Sequence, residues 1–221
     1  MTRIHVICEG QTEETFIKEV VDPQFSPQGI YLLPSIIGRP GHKGGNVRFQ
    51  RLFTDVRAYL LRDDSCYCTT FFDFYGLPTS FPGRQEASQK PSAQAKAQTV
   101  IDALGQAVAE KLGSDTTRRF IPYIQMHEFE GLLFSDPTSL ASELGPEGLE
   151  ETFQAIRSEF ATPEEINDDR ETAPSKRIQR FYRQYQKPMH GSLAALEMGL
   201  DVIREECPLF NQWLQSLEEL T

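Results

Sequence analysis

The chain has 221 residues, 39% of them hydrophobic, and carries 22 Lys and Arg against 32 Asp and Glu, a formal net charge of −10. That size supports one large domain or a domain with an added lobe, and the acidity excludes binding of nucleic acid over the whole surface while leaving room for a local basic groove. No apolar run is long enough for a membrane span, and residues 1–9 are too short and too quickly acidic for a secretory signal, so the expected compartment is the cytoplasm.

In chain order, residues 3–8 (RIHVIC) read as a short buried strand that runs directly into Glu9 and Gly10. A helix is expected over 13–20, with Thr12 as its cap and Glu13 and Glu14 as first-turn acids favoured by the helix dipole. Residues 30–37 (IYLLPSII) form a second strand, where Pro34 points to an edge position or a bulge. The glycine-rich basic loop 38–46 (GRPGHKGGN) follows; it lacks the P-loop pattern and reads as an exposed turn or an anion-binding turn. Helical spacing covers 47–61. Residues 67–72 (YCTTFF) form a third strand ending at Asp73, and 76–91 read as an exposed loop. A long helix is expected over 92–112 and a fourth strand over 120–126, running into His127, Glu128, Phe129 and Glu130. Helices over 147–160, 176–187, 192–207 and 209–217 complete the pattern.

Strands alternating with helices define an α/β fold with a mostly parallel sheet flanked by helices, and a helical C-terminal part. The expected division is a core over 1–140 and a helical extension over 141–221 packed on that core. The four cysteines, Cys8, Cys66, Cys68 and Cys207, lack zinc-site spacing and are expected to be reduced and packed.

Sites in parallel sheets form beyond the carboxyl ends of the strands. Three strands here end in acids: Glu9, Asp73, and the Glu128 and Glu130 pair. Any one alone is explained as a cap or a solvated turn residue. Convergent carboxylates repel unless a cation lies between them, and Mg²⁺ or Mn²⁺ suits hard oxygen ligands and phosphate substrates. His127 and Glu130 share a face if the segment is helical, whereas Glu128 and Glu130 share one if it is a strand. Glu130 is favoured over Glu128, because EFEGLLF looks like a helix leaving a strand.

These residues carry a likeness. The strands ending in Glu9-Gly10 and in Asp73 resemble those of the Toprim domain shared by topoisomerases, primases and overcoming-lysogenisation-defect (OLD) nucleases. The stretches CEGQTEETF, FDFYGLP, HEFEGLLFSD and APSKRI resemble, more closely, a bacterial Toprim-like family of about this length. Members of that group are often encoded beside ABC-type ATPases. The resemblance implies a Toprim-like fold and a Mg²⁺-dependent nuclease acting on DNA or RNA. It also implies a role as effector of an ATPase-gated anti-phage defence system, with an ABC- or OLD-type ATPase as partner. Glu9 then serves as metal ligand or general acid/base, and Asp73 as the first acid of the Toprim Asp-x-Asp motif. The second acid of that motif is replaced by Tyr75, which leaves one or two metal ions open; Glu128 or Glu130 is the candidate to supply the missing oxygen. A lysine near the metal-bound phosphate is assigned to Lys176, with Arg177 as the alternate.

Residues 176–187 (KRIQRFYRQYQK) hold five positive charges and no acid. On a helix Lys176, Arg180, Arg183 and Lys187 form one stripe, with Ile178, Phe181 and Tyr185 on the opposite, core-facing side. Such a stripe tracks a phosphate backbone, or pairs with the protein's own acids or an acidic partner. With Arg177 and with Lys43 of the glycine-rich loop, these are the nucleic-acid-binding candidates. The competing expectation is a regulatory or binding subunit, its site too weak for chemistry, that docks a partner ATPase.

Overall fold

The computed structural model describes residues 1–38, 44, 47–166, 169 and 171–220. Five strands, β1 (Thr2–Cys8), β2 (Ile30–Ile36), β3 (Cys66–Asp73), β4 (Phe120–Ile121) and β5 (Ile124–Gln125), form one sheet in the order β2-β1-β3-β4, with β5 also on β3. Every pairing is parallel. The central strands β1 and β3 are covered on both faces, and their sequences are accordingly continuous apolar or β-branched runs. Strand β2 lies at the sheet edge, the place where Pro34 is tolerated.

Side-chain alternation sorts the core into two layers. Ile4, Val6, Cys8 and Phe71 face the helical run 11–25 and the C-terminal helices. Ile7, Cys68 and Phe72 face the helices Phe49–Arg62 and Ala93–Leu112. The Ala93–Leu112 helix starts where the Ser92 hydroxyl accepts the Ala95 N–H, and stops at Gly113 with φ +80°. The helix Pro208–Glu218 completes the first layer: Trp213 stacks on Tyr123 with ring centroids 4.5 Å apart and donates its indole N–H to Thr69 Oγ1 at 2.9 Å. Residues from both sides of position 140 thus share one core.

Several elements depart from expectation. The fourth strand over 120–126 is two short pieces, because Pro122 has no N–H to donate and the chain kinks there. The Thr70 hydroxyl bridges the break, donating to the Tyr123 carbonyl at 2.7 Å and accepting its N–H at 3.0 Å. Loop 76–91 contains a helical turn, Arg84–Ala87, and buries Leu77 and Phe81. The first helix begins at Gln11 with Gly10 in the cap position and no side-chain cap, so Thr12 lies inside it and is buried. The expected helix 192–207 breaks at Gly199, φ +78°, into Ser192–Met198 and Leu200–Glu206. The expected helix 176–187 is Pro174–Phe181 only; Tyr182 turns extended, and a π-helical turn begins afresh over Lys187–Gly191, with Pro188 near its start. All four cysteines are buried and free. No helix among the described residues is long and apolar enough to cross a membrane.

Candidate active site

Adjacent parallel strands deliver two acids to one sheet edge. Glu9 directly follows β1, Asp73 closes β3, and the register Cys8 opposite Phe71 sets them side by side at the carboxyl ends. The chain leaving β5 is tied to the same place. Asp73 Oδ1 accepts the Phe129 N–H at 2.8 Å, and the His127 carbonyl accepts the Tyr75 N–H at 3.0 Å. This anchors the turn that opens the short helix Glu130–Leu133 and aims Glu130 inward, 2% exposed.

Lys187 arrives from the C-terminal part. Its ammonium lies 2.8 Å from Asp73 Oδ2, 2.8 Å from Glu13 Oε1 and 3.6 Å from Glu130 Oε2. Tyr185 donates its hydroxyl to Glu130 Oε1 at 3.4 Å, on the side away from the lysine. Glu9 Oε2 is buried and has no hydrogen-bond partner. Gly76 leaves room for that carboxylate: a Cβ there would stand 3.0 Å from both Glu9 oxygens.

The electrostatics follow from four carboxylates around one ammonium. Burial pushes the Glu9 carboxyl up, Lys187 opposes this, and Glu13 adds to it. Asp73 is held well above the usual carboxylate range by burial and by Glu13, Glu9 and Glu130, against the pull of Lys187. Glu130 rises for the same leading reason, its burial. Burial pulls Lys187 down, but Asp73, Glu130 and Glu13 outweigh it and hold the ammonium well above its usual value. Lys187 is therefore a fixed positive charge, and the acids exceed it by three.

Of the other sequence candidates, Glu128 gives Oε2 to the Ser175 N–H at 3.0 Å, at the start of the helix Pro174–Phe181, while its charge still bears on Glu9 and Glu130. Lys176 is exposed and donates to Gln179 at 3.3 Å; the lysine among the acids is Lys187, not Lys176. The alternate, Arg177, is turned inward onto the Thr172 carbonyl (2.8 Å), Glu159 (3.5 Å) and the Phe160 ring. The helix ends at Phe181, so Arg183 and Lys187 both leave the basic stripe; Lys176 and Arg180 remain exposed on the helix, and Arg183 is exposed beyond it. Phe181, expected on the core face, is 46% exposed, whereas Ile178 and Tyr185 are buried. His127 packs edge-on to Phe74 and lines a cleft with Lys96, Phe160 and Glu165, and its carbonyl accepts the Tyr75 N–H. Tyr75 likewise contributes its N–H. Lys43 lies outside the described residues; of its loop, Gly44 is placed beside the Glu9 carbonyl, at 3.5 Å from a Cβ built on it.

Glu13 is the site residue that sequence reasoning missed; Lys187, expected either along a phosphate backbone or paired with the protein's own acids, is found on those acids. Glu13, first taken for a dipole acid, is 3% exposed and points at the ammonium. A signal for Lys187 was present in Lys187-Pro188, since proline favours the first turn of a new helix rather than the continuation of an old one.

The donor chemistry fits a hard cation: oxygen ligands only, more carboxyl groups than cations, and one orphaned buried oxygen on Glu9. Among the described residues no three His, Cys, Asp or Glu side chains stand grouped as a ready metal cage, and Lys187 fills the space between Glu13, Asp73 and Glu130. Mg²⁺ does not need such a cage, because it is commonly held by one or two carboxylates, its own waters and substrate phosphate.

A parallel α/β sheet with buried acids gathered at its carboxyl edge is the class that fold and site define. The chain belongs to the family described as a domain of unknown function, DUF4276, whose profile matches residues 8–218. No curated protein matches it. Among solved structures it is similar to the C-terminal region of the Xanthomonas campestris pv. campestris OLD protein, at 15% identity over 98% of this chain and 96% of that one, with a TM-score of 0.39.

Proposed function

We propose that the chain is a Mg²⁺- or Mn²⁺-dependent, Toprim-like endonuclease that hydrolyses phosphodiester bonds in DNA or RNA. The observation that supports this most directly is the Glu9 and Asp73 pair at the ends of adjacent central strands, with Glu9 Oε2 buried and unpartnered. Glu9 and Asp73 would hold the ion, and Glu13 is the neighbouring acid. Bound there, a divalent ion supplies an activated water and a Lewis acid for the phosphoryl oxygen. Lys187, kept charged by its acids, offers a fixed cation to the charge that develops on the phosphate. Glu130 and Tyr185 hold Lys187 in position. Exposed Lys176, Arg180 and Arg183 suit contacts to the phosphate backbone, which position a substrate without reading its sequence. Following the resemblance in the sequence, the setting is the cytoplasm, with an ABC- or OLD-type ATPase as gating partner in an anti-phage defence system.

The test is cleavage of supercoiled plasmid and of structured RNA by the purified chain, alone and with its partner ATPase, in Mg²⁺ or Mn²⁺. Cleavage is expected to vanish with chelator and in both Glu9→Gln and Asp73→Asn. Cleavage that survives both substitutions, or none by the wild type under any of these conditions, rejects the proposal. One observation favours a second reading, that of a regulatory subunit docking the ATPase: the space among Glu13, Asp73 and Glu130 is already filled by a cation of the chain itself, Lys187. A metal titration separates the two, since the regulatory subunit would bind no ion at Glu9.

A further inference from the structure

We infer that the site takes a single divalent cation, with the Lys187 ammonium standing where a second would sit. The inference rests on the nuclease reading and deepens it. The oxygens around the lysine are already engaged. Asp73 gives Oδ1 to the Phe129 N–H and Oδ2 to Lys187. Glu13 gives Oε1 to Lys187. Glu130 gives Oε2 to Lys187 and Oε1 to Tyr185. Among these acids, the buried oxygen with no partner is Glu9 Oε2. Their open ligand capacity therefore lies on one side of the cluster, at Glu9 Oε2, and Asp73 can add only a second lone pair of an oxygen already engaged.

Two-ion sites hold their metals about 4 Å apart on shared carboxylates. A second ion bridged by Asp73 would be forced into the space of the Lys187 Nζ, which sits 2.8 Å from that carboxylate. The ammonium is held there by its contacts to three acids and is further seated over the Phe129 ring, 5.5 Å from the centroid. Lys187 starts the π-helical turn Lys187–Gly191, which packs beside the first helix, and Gly191 lets Tyr185 approach, since a Cβ there would meet its hydroxyl at 2.9 Å. The lysine is thus held by backbone geometry as well as by charge. Glu130, on this view, is a positioning residue for Lys187 and not a metal ligand.

The experiment is calorimetric titration of the full chain with Mn²⁺, paired with electron paramagnetic resonance of bound Mn²⁺. Wild type is expected to bind one ion, with no spin coupling between neighbouring manganese centres. Lys187→Met removes a like charge and opens oxygens on three acids, so it is expected to bind Mn²⁺ at least about tenfold more tightly or to take up a second ion. Glu130→Gln keeps the count at one, whereas Glu9→Gln abolishes binding. If Lys187→Met does not fold, the wild-type count and Glu130→Gln still decide the matter. Two ions in the wild type, loss of the ion in Glu130→Gln, or weaker binding in Lys187→Met overturns the single-ion inference while leaving the nuclease reading intact. No Mn²⁺ binding by the wild type removes the nuclease reading along with it.

Discussion

Replacing Glu9 with its amide is expected to make the metal-free protein more stable. Glu9 carries its charge where burial and the nearby Glu13 disfavour it, with only partial relief from Lys187. A carboxyl whose folded pKa is raised contributes stability that is fully present below the usual glutamate range and is lost as pH rises through the raised value. At pH 8 the wild type has therefore given up that contribution, whereas Glu9→Gln never holds the charge. Each unit by which a carboxyl's pKa is raised sets about 1.4 kcal/mol against its charged form. Lys187 keeps its other acids in the variant, so a gain of about 1 kcal/mol is expected. The assay is urea denaturation with chelator present at pH 8 and pH 5. The gain should shrink at pH 5, where the wild-type carboxyl moves towards its neutral form. Added Mn²⁺ should reverse the order: a ligand at a hundred times its Kd stabilises the native state by about 2.7 kcal/mol, and only the wild type should benefit. Destabilisation of Glu9→Gln by more than about 1 kcal/mol at pH 8 would refute the reasoning, because it would mean the Glu9 charge is satisfied within the fold.

Gly76→Ala brings a Cβ to 3.0 Å from both Glu9 oxygens; overpacking of this kind costs about 1–3 kcal/mol, and cleavage should fall with it, as a thermal melt and a plasmid assay will show. Thr70→Val strands both the N–H and the carbonyl of Tyr123 at the break between β4 and β5; a loss of at least about 2 kcal/mol is expected by urea denaturation, and a neutral result would mean that the hydroxyl does not carry the join. Glu164 accepts the Leu209 and Phe210 N–H groups at 2.8 Å each, yet burial raises its carboxyl to about 7. Its folded pKa being raised, the wild type should lose stability as pH climbs from the usual glutamate range to about 7; Glu164→Gln should flatten that interval, and identical pH profiles for the two proteins would exclude Glu164 as the source.

What was legible in the sequence was whatever a single element could announce. An apolar run stopping at an acid declares both a buried strand and a strand-end carboxylate, so Glu9 and Asp73 could be read directly, as could Glu130 from the helix start that carries it. Pro34 similarly marks the edge strand. Glu13 and Lys187 were not legible in this way, because each has a sufficient local explanation: an acid in a helix's first turn, and a lysine at helical spacing in a basic run. Their partners lie far away in sequence, Lys187 meeting Asp73 across 114 positions. Helical periodicity also counts residues without noticing where a helix stops, and the stripe was drawn straight through the end at Phe181. Glu128 illustrates the converse, since the helix it caps is a different one from the helix it precedes.

The stacked aromatic layer has a consequence for the order of events during synthesis. Phe71 and Tyr123 emerge early, but the rings that cover them, Phe210 and Trp213, belong to residues made roughly a hundred positions later. The helical run 11–25 covers part of that face early, but the Phe71 and Tyr123 rings are not fully covered until that last helix arrives. The acids share the wait: Glu9, Glu13, Asp73 and Glu130 are all translated before the lysine that neutralises part of their charge. Closure of the hydrophobic layer and charge pairing at the sheet edge therefore both wait on the C-terminal third of the chain.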